Sequence, residues 1–231
     1  MPALNNLTPF AATDFLSLTK EGEECLVLVV AGSFVLPPAG RSTNAPLAVC
    51  EEQLRPAITD TYWGAPEKAS LRYESQSAYT RPGTDVLLHG QAWAPRGRKV
   101  TRTQVAVRVG ALEKQAVVSG TRVWYRSLAG LSASDALPFE SLPLRYEYAF
   151  GGTSASDYET RNPVGRGFYA NEKEALEKPL PSIEAPESLV RGWADRPPPW
   201  LPSCGMTQRR CMSPTPPSTR VAAALARMSC P

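Results

Sequence analysis

The chain has 231 residues, with 25 Lys and Arg against 22 Asp and Glu, for a formal net charge of +3. This is long enough for one large or two small domains with a core of their own, and too weakly basic to imply a nucleic-acid partner. Apolar residues make up 42% and charged residues 20%, ordinary for a folded soluble protein, while 23 prolines and 16 glycines break long helices and suit short strands joined by turns.

From the N-terminus, Met1 to Lys20 has neither a basic start nor a continuous apolar core, so no signal peptide is expected. The longest apolar run, Cys25 to Gly32, is far short of the roughly 20 residues that span a membrane. Cytoplasm is the expected location. Asn5 to Glu24 reads as an irregular lead-in. Cys25 to Leu36 is rich in β-branched residues and stops at Pro37-Pro38, which predicts a buried strand. After a loop over Pro37 to Asn44, Leu47 to Cys50 is a short strand candidate, and Pro56 to Ala69 is turn-rich. Leu71 to Glu74 and Asp85 to Ala94 are further strands, separated by Pro82-Gly83. The clearest hairpin runs from Val100 to Val118: Val105, Val107 and Val109 alternate with Ala106 and Arg108, and Gly110-Ala111 supplies the turn. Thr121 to Arg126 and Leu144 to Phe150 complete the strand set, the second with Tyr146 and Tyr148 on one face and Arg145 and Glu147 on the other. The best helical segment is Asn171 to Lys178, stopped by Pro179. Short strands without intervening helices predict a mainly β fold: an antiparallel sandwich or open barrel-like domain with long Pro/Gly-rich loops and few short helices.

One β-rich domain is expected over residues 1–199. Trp200 to Pro231 differs in kind, with no Asp, Glu, Lys, Phe, Tyr or Ile and with three of the five cysteines. Two readings stand side by side for it. One is a shift out of the ancestral reading frame near Pro197 to Pro199; the other is a disordered Pro/Ser/Arg tail or short helix.

Chemistry-bearing patterns are few. The cysteines (Cys25, Cys50, Cys204, Cys211, Cys230) form no Cys-x-x-Cys, and His89 is the single histidine, so neither a metal site nor a disulfide framework is expected. Cys25 and Cys50 sit in apolar stretches and read as buried. No Gly-x-Ser-x-Gly elbow or phosphate-binding Gly-Lys-Ser/Thr occurs. Asp85 and His89 would share a strand face but lie about 13 Å apart, too far for direct contact. Glu147, Asp157 and Glu159 are the carboxylates a glycosidase-like pair would draw on, and nothing in the sequence marks them as special. Arg96, Arg98, Lys99 and Arg102 around Gly97 read as a solvated turn. Trp93, Trp124, Tyr146 and Tyr148 read as core aromatics, with a sugar-binding face as the other reading. No catalytic residue, metal or cofactor is expected.

Eight turn-flanked motifs carry more specific information: Thr61-Tyr62-Trp63-Gly64, RPGTDVLLHGQAWAP (81–95), VAVRVG (105–110), GTRVW (120–124), PLRYEYAFGG (143–152), RNPVGRGF (161–168), LPSIEAP (180–186) and DRPPP (195–199). In this order and spacing the chain from about Cys25 to Pro199 resembles the bacterial domain-of-unknown-function family twenty-one sixty-nine. The resemblance implies a cytoplasmic, non-enzymatic adaptor or chaperone. It would hold a type VI secretion effector and help load it onto the spike, through either the valine-glycine-repeat protein or its PAAR-like tip. The departure from the family pattern after DRPPP accords with the frame-shift reading. For partner contact the sequence points to Arg161, Asn162, Pro163, Gly165, Arg166 and Phe168, together with Tyr146 and Tyr148; a loop that only plugs the end of the fold is the competing reading. From a different functional class, the alternative is a carbohydrate-binding, lectin-like accessory module.

Overall fold

The computed structural model describes residues 4–36, 46–78, 86–109 and 112–195. The tail from 200 onward, with its frame-shift reading, and Asp85 lie outside the described residues. These residues are mainly β, in small sheets that pair almost wholly antiparallel and do not close into a barrel. Among them no helix is long and apolar enough to cross a membrane. The sequence reading runs 1–199 as one domain. The described residues sort into two compact units: 4–36, 46–66, 71–78 and 86–87 in the first, and 67–70, 88–109 and 112–195 in the second.

The first unit is built on the hairpin β1 (Ala11–Leu18) and β2 (Glu24–Ala31), paired in continuous register from Ala11↔Ala31 to Leu18↔Glu24. Here the irregular lead-in expected over 5–24 is corrected. Its mixed Thr, Asp and Phe composition hides a strand whose regularity comes from pairing with β2, and the turn is closed by Thr19, which accepts from Gly22 N–H. The predicted strand over 25–36 ends at Ala31; beyond it only Phe34 bridges Val49. That bridge is tied down by Gln53, whose side chain accepts from Ser33 N–H and donates to the Cys50 carbonyl. The short strands β3 (Thr61–Tyr62) and β4 (Leu71–Tyr73) pair across a register shift, and the Arg72 guanidinium stacks 4.6 Å from the Trp63 ring centroid. Cys25 and Cys50 are free thiols and half-buried, not the fully buried hydrophobes expected.

The second unit holds the packed core. Strand β5 (Gln91–Trp93) pairs with β10 (Ser141–Pro143). The predicted valine hairpin forms as β6 (Arg102–Val109) and β7 (Leu112–Ser119), with Val109 opposite Leu112 and the odd-numbered valines turned inward. On its other edge β7 takes β13 (Ile183–Glu184), giving the largest sheet, β13-β7-β6. Strands β8 (Trp124–Ser127) and β9 (Gly130–Ala133) make a second tight hairpin. The short pair β11 (Phe150–Gly151) and β12 (Arg166–Gly167) is parallel.

Two buried clusters fill this unit: Ala92, Val118, Leu142, Ala149 and Ile183 in one, and Trp124, Leu131, Ala175, Leu180 and Val190 in the other. Trp124 is in the core as expected, but Trp93 is 68% exposed, because its alternate neighbour Ala92 takes the inward position on β5. The strand expected over 85–94 shrinks to the three residues of β5. The one expected over 144–150 is replaced by a 3-10 turn at Tyr146–Tyr148, so the two tyrosines lie on a turn and not on one strand face. The helix expected over 171–178 is the single turn α1 (Glu172–Ala175), capped by Asn171 and stopped where Leu176 turns extended and Glu177 takes φ +62°.

Candidate functional site

All eight sequence-predicted contact residues meet in one place in the second unit. The RNPVGRGF loop lies against the Tyr146–Gly152 segment, with Phe150 opposite Arg166 and Gly151 opposite Gly167. Asn162, 7% exposed, joins the two: its Nδ2 donates to the carbonyls of Tyr146 (2.9 Å) and Phe150 (3.0 Å), and its own carbonyl accepts from Gly152 N–H. A side chain at Gly151, held at φ +150°, would sit 2.1 Å from the Asn162 carbonyl, and one at Gly165 2.4 Å from Asn162 Nδ2. Both glycines are therefore required by close approach. Pro163 is half-buried, and its carbonyl accepts from Thr153 Oγ1.

Arg166 is also committed inside the unit. Its Nε donates to the Glu147 carbonyl at 2.7 Å, and its guanidinium stacks 4.3 Å from the Tyr148 ring centroid. Only Arg161 of this loop is exposed, its backbone N–H donating to Glu159 Oε1. The carboxylates considered for a glycosidase-like pair have separate attachments. Glu147 accepts from the backbone N–H and the hydroxyl of Ser70, Asp157 from Tyr158 N–H, and Glu159 from Arg161 N–H.

Beside this loop a cavity of about 210 Å³ opens, lined by Trp124, Phe150, Phe168, Tyr169 and Trp193, by Gly167, Pro181 and Val190, and by the carboxylates Glu159 and Asp195. Trp124 and Trp193 meet edge to face, with ring centroids 5.6 Å apart. Burial pushes the Tyr169 phenol up to about 12, so it stays protonated and donates to the Pro179 carbonyl at 2.8 Å. Sequence reasoning placed only Phe168 here. The rest come from separated stretches of the chain, and the one signal that bears on them is that Trp124, Phe150, Gly167, Pro181 and Asp195 fall inside the quoted motifs.

Beneath the cavity a buried ion pair was also missed. Arg122, in GTRVW, donates to the Glu184 carboxylate of LPSIEAP and to the carbonyls of Pro181 and Val190, while Glu184 Oε1 accepts from Val190 N–H. Burial pushes the Glu184 carboxyl above its ordinary range, against the pull of Arg122. A charged residue inside an otherwise apolar motif was the readable sign of such a pair. Among the described residues, no three His, Cys, Asp or Glu side chains gather as a metal site.

The fold and these motif-to-motif contacts define a mainly β protein whose distinctive residues serve mostly to hold its second unit together. The family model for an uncharacterized protein conserved in bacteria (DUF2169) matches residues 21–213, and the chain belongs to that family. The match extends beyond Pro199, where the sequence reading ended its likeness. No curated protein and no solved structure gives a significant match.

Proposed function

We propose that the chain is a non-enzymatic adaptor that binds a protein cargo, a type VI secretion effector, and helps load it onto the valine-glycine-repeat spike or its PAAR-like tip. The observation that carries this reading is the outer face of the β1–β2 hairpin. Cross-strand partners share a face, so Leu16, Leu18, Leu26, Leu28 and Val30 stand together on one side. Each is more than half exposed, Leu26 the most at 61%. A contiguous aliphatic face of this kind marks a protein-binding surface on a soluble chain. An isolated two-stranded sheet also gains stability from being covered. The effector and spike context rests on the family resemblance.

The test is co-expression with a type VI secretion effector, followed by affinity capture. Leu26→Ser combined with Leu28→Ser is expected to abolish co-purification while leaving the thermal midpoint of the chain nearly unchanged. Undiminished capture by this folded variant would overturn the reading. A second reading, a carbohydrate-binding module, draws on the exposed Trp93 indole. It requires glycan binding that Trp93→Ala removes, with no protein captured.

A further inference from the structure

The cavity of the second unit carries a ligand preference that the cargo reading does not use. Three observations converge on it. First, five of its ten described lining residues are aromatic, so several ring faces or edges border one small space. Ring faces attract cations, the more so where water is excluded. Second, both charged residues in the lining, Glu159 and Asp195, are acidic, and no Lys, Arg or His joins them among the described residues. Among the described residues no ion pair reaches either carboxylate: Arg166 is held by the Glu147 carbonyl and the Tyr148 ring, Arg122 by Glu184, and Arg161 and Arg191 meet the carboxylates only through backbone N–H groups. Third, Glu159 is only 8% exposed, and among the described residues its carboxylate takes one hydrogen bond, from Arg161 N–H to Oε1, so that Oε2 is open to the solvent that reaches it. Asp195 likewise uses only Oδ2, which accepts from the N–H groups of Arg191 and Gly192. Neither carboxylate is ion-paired among the described residues, so each keeps its charge to offer a cation in the cavity.

The size of the cavity narrows that partner. At about 210 Å³ it is smaller than the roughly 300–1,000 Å³ typical of small-molecule sites. A nucleotide or an oligosaccharide does not fit; one alkyl chain ending in a cationic head does.

We infer that this cavity is a receptor for a single alkylguanidinium or alkylammonium group, its alkyl stem against Trp124, Phe150 and Phe168 and its charge against Glu159 and Asp195. Such a group is supplied either by an Arg or Lys side chain of a protein partner or by a free small cation.

Calorimetric titration of the full chain, with the indole N–H signals of Trp124 and Trp193 followed by NMR, tests the assignment. The probes are butylguanidinium, its neutral isostere butylurea, and a short peptide with blocked ends and one central arginine. Butylguanidinium is expected to bind saturably and shift both indole signals, with butylurea at least about tenfold weaker, the worth of one partly desolvated cationic contact. Binding of the blocked peptide as well identifies a partner's side chain as the source; binding of butylguanidinium alone identifies a free cation. Glu159→Gln keeps the acceptor for Arg161 N–H and is expected to weaken cation binding about tenfold. Should that variant melt early, Asp195→Asn at the exposed rim reads the same loss. The inference is overturned if no cation binds, if butylurea binds equally well, or if a folded carboxamide variant keeps full affinity. Because the cavity and the β1–β2 face share no residue, cargo capture and cation binding fail independently.

Discussion

The two units spend their apolar residues in opposite ways. In the second, Val118, Leu180, Trp124 and Ala175 are almost wholly withdrawn from solvent, and the buried Arg122 is paired with Glu184. In the first, every described residue is at least partly exposed, and the longest aliphatic run of the chain forms a strand with one face in solvent. What holds the first unit is directional: the continuous β1–β2 ladder, Gln53 bridging Ser33 and Cys50, and Asp60 accepting from Ser75 N–H. The lesson is that a strongly apolar sequence does not by itself make a core. A strand becomes core only when a second layer covers it.

This contrast is sharpest under mutation. Arg122→Met leaves Glu184 buried without its cation and the Pro181 and Val190 carbonyls without their donor, and the second unit is expected to lose about 3–5 kcal/mol in urea unfolding followed by Trp124 fluorescence. Leu180→Ala should cost about 2–5 kcal/mol through the cavity it leaves, whereas Leu28→Ala on the hairpin face should stay within about 0.5 kcal/mol. Equal costs for the two leucines would break the comparison. Within the RNPVGRGF loop, Arg166→Ala is expected to cost about 1–2 kcal/mol by removing its hydrogen bond and ring contact, and Arg161→Ala almost nothing. Thermal melts of the two variants measure this, and the reverse order would return Arg166 to the surface.

The smallest effect is a pH slope. The Glu184 carboxyl binds its proton more tightly folded than unfolded. Its contribution to stability is therefore fully present below about pH 4.3 and is lost as pH rises through the folded value. Glu184→Gln removes that slope, so wild-type stability minus variant stability should fall between pH 4 and pH 7 in a series of urea melts. A difference that rises instead means that the attraction of Arg122 outweighs burial.

Much of the fold was readable in the residues. Alternation of Val105, Val107 and Val109 around a Gly-Ala turn determined a hairpin, because period-two patterning and turn chemistry are local properties. The abundance of Pro and Gly excluded long helices for the same reason, and the eight motifs marked the family. The chemistry of the RNPVGRGF loop singled out residues that lie against Tyr146 and Tyr148 in the structure. Its internal bonding was not readable. That Asn162 spans two carbonyls and that Arg166 is occupied by Glu147 and Tyr148 depend on partners 10 or more residues away. Strand β1 was invisible for a related reason, since its pairing with β2, not its composition, makes it regular.

The sequence alone thus determined what is short-range: a mainly β chain, punctuated by turns, with its motifs in family order. Only the tertiary structure decided which apolar residues are covered and which are presented, and that five aromatics and two carboxylates share one small cavity. Burial and juxtaposition are properties of pairs of distant segments, and no local pattern of residue types encodes them.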